Sequence, residues 1–421
     1  MLSLVLMTLS LKALSQADGA VYFKGAIKEN RDKVYRNILQ NSITKNISLT
    51  LNTETEENWT DAFGAIELLH YRSPWIDSRI SIAFDSLEKR GTDFQRSLLE
   101  LAFSGYPGLF KQQVTALLNS TGSAKIFAMC AEYLQLNKID LFAGINLANK
   151  KNQLARDEKG EAITHQLIYR IQNQAPQSNS IAISAVLTAD FLKHRVILYS
   201  FQRKNRNYPG LAVIRDSAGN FVKDANGTIF SIPQLARSIS NLPGYLTNGN
   251  TPQGIFRMYG FDTSKSYFIG PTTNIQLTLP FETSLRHFFN DSTITDSTWT
   301  EDWYRKLLPA VLKNYQPLFE SFYAGKAGRT EIIAHGTTVN PESYHDEIFY
   351  PQTPTMGCLC TKEIWSGVDG RRLESDQQKL AAALNEGGGP DGYCVVVELD
   401  DAQRPVTLNE ILSLLKQGAK K

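Results

Sequence analysis

"LAVIRDSAGNFVKDANGTIFSI", residues 211–232, decides how the second half of this chain folds. Its apolar and polar residues alternate in runs too short for helices. Ala218-Gly219-Asn220 and Asn226-Gly227 separate those runs, and such residues tolerate the left-handed backbone that tight hairpins require. From residue 205 onward the texture is therefore β-rich. One interruption is "TEDWYRKLLPAVLKNYQPLFESFYAG", residues 300–325, where Trp303, Leu307, Val311 and Tyr315 share a helical face and predict an inserted amphipathic helix. The β texture resumes at "TEIIAHGT" (330–337), and "GYCVVVELDDAQRPVTL" (392–408) reads as a last strand leading into a C-terminal helix.

Toward the N-terminus the period changes. Ala62, Ile66 and Leu69, then Ile80, Ala83, Phe84 and Leu87, then Phe94, Leu98, Leu101 and Ala102 draw helical stripes, cut by Pro74, Gly91 and Pro107. Phe110, Val114 and Leu117, then Ile126, Cys130 and Tyr133, continue them as short helix pairs that weakly resemble HEAT repeats. The polar, Gln/Asn-rich tract 150–180 reads as a connection between units. The expected fold class is thus α+β and multidomain: a signal peptide over 1–15, a helical domain over 16–180, a connecting helix or linker over 181–204, and a β-rich domain with an inserted helix over 205–421.

With 42% hydrophobic and 20% charged residues, the 421-residue chain can build two or three cores. A net charge of +2 and the lack of any Lys/Arg run give no footprint for nucleic acid or anionic lipid. The opening "MLSLVLMTLSLKALSQADGA" has an apolar run too short to span a membrane, followed by small residues at Ala13 and Ser15, the pattern of a cleavable leader. A periplasmic or cell-envelope address follows as an expectation.

Only four cysteines are present, and two of them, Cys358 and Cys360, stand in "PQTPTMGCLC" (351–360) directly behind Gly357. A thiol becomes a nucleophile where its thiolate is stabilised and its neighbours leave room for a carbonyl, and Gly357 supplies the room. Of six histidines, His335 follows the apolar run Ile332-Ile333-Ala334 and precedes Gly336 and Thr337, at a strand end. His345 sits in a polar loop. Cys130 lies on an apolar helical stripe, and a Cys360–Cys394 disulfide is left open by the sequence.

Three segments in order, "TPQGIFRMYG" (251–260), "IIAHGTT" (332–338) and "TPTMGCLC" (353–360), resemble the signatures of the L,D-transpeptidase (YkuD-type) catalytic domain over about residues 205–400. The resemblance implies Cys358 as nucleophile, His335 as base, and the Gly336 carbonyl as the group that orients the imidazole. Thr355 takes the family's Ser/Thr position, and Gly357, Met356 and Thr337 line the substrate. Two departures stand out. Met356 occupies the family's histidine position before Gly-Cys, and Cys360 its arginine position, so Arg371 or Arg372 in "VDGRRLES" would have to replace that cation. No cofactor is implied. The implied substrate is the peptidoglycan stem peptide, transferred through a Cys358 thioester to an amine. Three alternatives stay open at this point. One is an L,D-carboxypeptidase with water as acceptor. Another is an inactive wall-binding or interaction protein, whose helical domain takes a protein partner. The last is a zinc site of His335, His345, Cys358 and Cys360.

Overall fold

A computed structural model describes residues 20–136, 152–173 and 180–418; the expected signal peptide lies outside the described residues. Helices Glu56–Leu69, Pro74–Asp85, Thr92–Gly105, Lys111–Ser120 and Ala124–Leu136 follow the apolar stripes and end near the expected breakers. Pro74 is the first residue of its helix, and the Ser73 side chain accepts from the Ile76 N–H, the usual proline-and-cap start. Glu56–Leu69 packs on Thr92–Gly105, which packs on Ala124–Leu136, which in turn packs on Glu158–Gln172, so alternate helices stand in a row. That last helix lies inside the tract expected to be a connection. Its Ile163, Leu167 and Ile171 join the helical core, while Ala162 joins the core of the next unit.

The β-rich half is an eight-stranded mixed sheet in the order β3-β2-β1-β10-β4-β5-β6-β7. The strands are β1 (Val196–Gln202), β2 (Gly210–Arg215), β3 (Ser231–Gln234), β4 (Gly254–Thr263), β5 (Thr273–Thr278), β6 (Ile333–His335), β7 (Leu359–Cys360) and β10 (Asp391–Glu398). The small hairpin β8 (Glu363–Trp365) and β9 (Arg372–Ser375) stands apart from it. Leu235, just past β3, exchanges two backbone hydrogen bonds of 2.8 Å with Cys360, which nearly closes the sheet into a barrel. The α+β class is therefore observed. The turns read from 211–232 are present, with Gly219 and Gly227 at positive φ of 95° and 78°.

β1 lies within the segment read as a connection. It is buried on both faces, as befits a central strand: Val196 and Leu198 belong to one core, Ile197, Tyr199 and Phe201 to the other. The segment 300–325 is not one helix. It breaks into Glu301–Arg305, the 3-10 turns Ala310–Leu312 and Gln316–Phe319, and Glu320–Lys326, because Pro309 and Pro317 each deny the backbone a donor. Tyr304, Leu307, Leu312, Phe319 and Phe322 are buried with β1, β2, β4 and β10, whereas Val311 is exposed. The segment is a wall of that core.

Several joints tie the halves together, among them Lys326 on Glu161 of the helix Glu158–Gln172 at 2.7 Å. Leu242, Tyr245 and Leu246, from the loop between β3 and β4, lie in the helical core, and Tyr245 donates to Glu132 at 2.9 Å. At the other end, the residue 20–28 segment runs against the β8–β9 hairpin, with the Phe23 N–H on the Gly370 carbonyl at 2.8 Å and Phe23 edge-on to Trp365.

Candidate active site

β6 and β7 are neighbours and parallel, with His335 in register with Cys360 and Ala334 with Leu359. Ala334 and Leu359 are in the core shared with β5 and β10, so His335 and Cys360 face away from it by strand alternation. Cys358 precedes β7 and is level with Ile333. The Ile333 N–H lies 3.5 Å from its Sγ, and the thiol is 3.6 Å from the Glu331 carbonyl. Strand spacing puts the Cα atoms of Cys358 and His335 roughly 8 Å apart on a diagonal. No direct hydrogen bond joins them among the described residues.

His335 is buried, and its Nδ1 lies against the Gly336 carbonyl. A carbonyl only accepts, so Nδ1 carries the proton and Nε2 presents its lone pair. Burial holds the imidazole below its ordinary pKa, against that carbonyl, so His335 is neutral at pH 7. Cys358 is half-buried. Desolvation raises its thiol pKa, opposed by the Ile333 N–H and by Arg329. At rest the two groups are thus thiol and imidazole.

A tight turn holds Cys358 in place. The Thr355 hydroxyl donates to the Cys358 carbonyl at 2.9 Å and accepts from the Gly357 N–H at 3.0 Å, so it is committed to backbone. Met356, at the tip, is 53% exposed. Gly357 has a φ of 115°, and a Cβ there would overlap the Arg329 guanidinium and the Gly249 carbonyl. Thr251, the first residue of "TPQG", donates to the Gly357 carbonyl at 2.9 Å.

The cation beside Cys358 is Arg329, which sequence spacing gave no reason to choose. It is buried and donates to the carbonyls of Gly244, Gly249 and, at 2.6 Å, Asn250. Burial pushes its pKa down to about 10, against the Glu320 carboxylate and the Cys358 thiol. Arg371 is exposed at the end of the β8–β9 turn, its N–H on Asp369, and Arg372 reaches Thr272 at 3.2 Å. Glu363 was also not singled out. Its carboxylate accepts from the Thr337 N–H at 3.0 Å and from the Ser375 hydroxyl, and a Cβ on Gly336 would overlap it. Burial pushes Glu363 up to about 7, partly offset by the Ser375 and Thr272 hydroxyls. Thr337 is buried, its carbonyl taken by the Trp365 indole at 2.8 Å.

The remaining candidates separate. Cys360 is fully buried, 3.7 Å from the Thr353 hydroxyl, and burial holds it as a thiol. All four cysteines are free, and β7 and β10 are separated by three strands, so Cys360 and Cys394 do not pair. His345 is exposed and 3.1 Å from Asp346, and among the described residues no group of three or more His, Cys, Asp or Glu side chains converges on a metal position. Arg257, inside "TPQGIFRMYG", is buried, paired with Asp391 and donating to the Gly392 carbonyl at 2.6 Å. Among the described residues, no helix is long and apolar enough to cross a membrane. No known family's sequence profile matches the chain, and neither a curated protein nor a solved structure is detectably similar to it.

Proposed function

We propose that the chain is a cysteine acyltransferase of the cell envelope. It acts on peptidoglycan stem peptides through a thioester on Cys358, the L,D-transpeptidase reaction. The observation that carries this reading is the tautomer of His335: with Nδ1 turned to the Gly336 carbonyl, Nε2 is the basic nitrogen, one strand over from a half-exposed thiol. In the first half-reaction His335 Nε2 takes the Cys358 proton as Sγ attacks the donor carbonyl. The amide C–N bond then breaks, and the proton passes to the departing D-amino acid. In the second, an amine gives its proton to Nε2 as it attacks the thioester carbonyl, and the thiolate leaves and is reprotonated.

Because thiol and imidazole are both neutral at rest, the proton moves only as the substrate arrives, and the rate rises with pH as the imidazole loses its proton, below its ordinary value of 6.5, and is level by neutrality. The test is turnover of muropeptides followed by mass spectrometry. Cys358→Ala loses all turnover, His335→Ala loses about 100-fold or more, and Cys360→Ala keeps most of it. Equal loss in the two cysteine variants, or none in either, refutes the assignment.

A further inference from the structure

Between the helical core and the barrel, with Gly244, Asn250 and Thr251 of the loop behind the Cys358 turn on its wall, lies a cavity of about 430 Å³. Its size is that of small-molecule sites, and its walls are charged where most such sites are apolar. Glu132 is ion-paired with Arg170 at 2.9 Å, and Glu398 with Arg206 at 2.9 Å. Two polar groups on the wall are left over. Arg206 is 4% exposed and spends Nη2 on Glu398, while its Nη1 has no partner among the described residues; Gln166, 2% exposed, has an unpartnered Nε2. Both are donors, and buried donors are satisfied in folded proteins unless something else supplies the acceptor. On the same wall Glu320, 8% exposed, accepts the Gln253 N–H at 2.9 Å but has no ion-pair partner among the described residues. The wall therefore has donors in want of an acceptor and a carboxylate that feels the Arg170 and Arg206 charges but makes no direct ion pair among the described residues.

We propose that this cavity binds a small zwitterion of the amino-acid or short-peptide class, with its carboxylate on Arg206 Nη1 and Gln166 Nε2 and its ammonium on Glu320. An inorganic anion would satisfy the donors and add a charge beside Glu320. A simple cation would do the reverse. Only a molecule carrying both charges answers both, and the volume accommodates about a dipeptide or tripeptide. Neither Cys358 nor His335 is on the cavity wall, so its occupant acts as a bound effector.

The experiment is calorimetric titration of the full chain with L-alanyl-L-alanine, its N-acetyl form and its C-terminal amide, each to about 10 mM. The free dipeptide binds, each capped form binds at least tenfold more weakly, Gln166→Leu and Glu320→Gln each weaken the free dipeptide at least tenfold, and Cys358→Ala binds it as the parent chain does. Failure of the free dipeptide to bind overturns the proposal, as does equal binding of all three forms. Loss of binding in Cys358→Ala would place the ligand at the thiol and overturn it too. The capped peptides decide the matter even where a cavity variant does not fold.

Discussion

The helical half and the barrel bury their polar groups differently, and the difference explains how the candidate site is held. In the helical half, alternate helices build an apolar core from side chains such as Trp59, Phe63, Phe84 and Leu98. In the barrel, Arg329, Glu363 and Arg257 are buried against backbone carbonyls, amides and single counter-charges, although the Arg257 Nε is left without a partner among the described residues. The two styles meet in the loop before β4. Its Leu242, Tyr245 and Leu246 close the helical core, and its Gly244, Gly249 and Asn250 carbonyls are gathered by Arg329, against which Gly357 and Cys358 rest. The helical half is thus part of what holds the Cys358 turn, since removing it would strip the loop of its apolar anchor.

The largest effect expected from breaking this link is that of Arg329→Met. Three carbonyls lose their buried donor, which costs on the order of 4 kcal/mol. Urea unfolding should show both halves losing stability together; a barrel-only loss would mean the loop does not couple them. Next is Leu242→Ala, a barrel-side substitution that leaves a cavity in the helical core, with an expected cost of about 3 kcal/mol. It should lower the rate of Cys358 alkylation or acylation as well as stability. A change confined to stability would sever the helical core from the site.

The smallest effect is pH-linked. Burial and the field of Glu100 push Glu67, in the helical half, up to about 8. A carboxyl whose pKa is raised by folding favours the native state fully below its ordinary value of 4.5, and that contribution is lost as pH rises toward 8. Glu67→Gln should flatten this fall and recover roughly 2 kcal/mol at pH 7. Glu363→Gln should flatten a narrower window ending near 7, in the barrel. If the two substitutions act over the same pH window, the halves do not titrate separately.

Much of the helical half was legible because its signal is local. Stripes of Ile66, Phe84 and Leu98 and breakers at Pro74 and Gly91 sit on the elements they specify. The turns at Gly219 and Gly227 were legible for the same reason. The helix Glu158–Gln172 was obscured by polar composition, since only Ile163, Leu167 and Ile171 among its buried residues are large and apolar, beside small or polar ones such as Gly160, Thr164 and Gln166. The single helix read over 300–325 gave apolar spacing more weight than Pro309 and Pro317, which a stricter reading of helix breakers would have used. Around the thiol, Gly357 and His335 could be picked out from their immediate neighbours. Arg329 and Glu363 could not, because what marks them is burial against Gly357 and Gly336, a contact that exists only once the sheet has closed.

The central claim is that Cys358, alone among four cysteines, is an acylatable nucleophile served by His335. Cys130, Cys360 and Cys394 are fully buried, and burial holds each as an unreactive thiol. The most direct measurement is incubation of the folded chain with an acylating β-lactam, followed by intact-mass and peptide mass spectrometry. One adduct per chain, on the peptide containing Cys358, forming faster as the imidazole loses its proton below pH 6.5, at a rate that has levelled off by pH 7, and nearly absent in His335→Ala, is the result this account predicts. No adduct on the folded chain, or one carried by another cysteine, would contradict it.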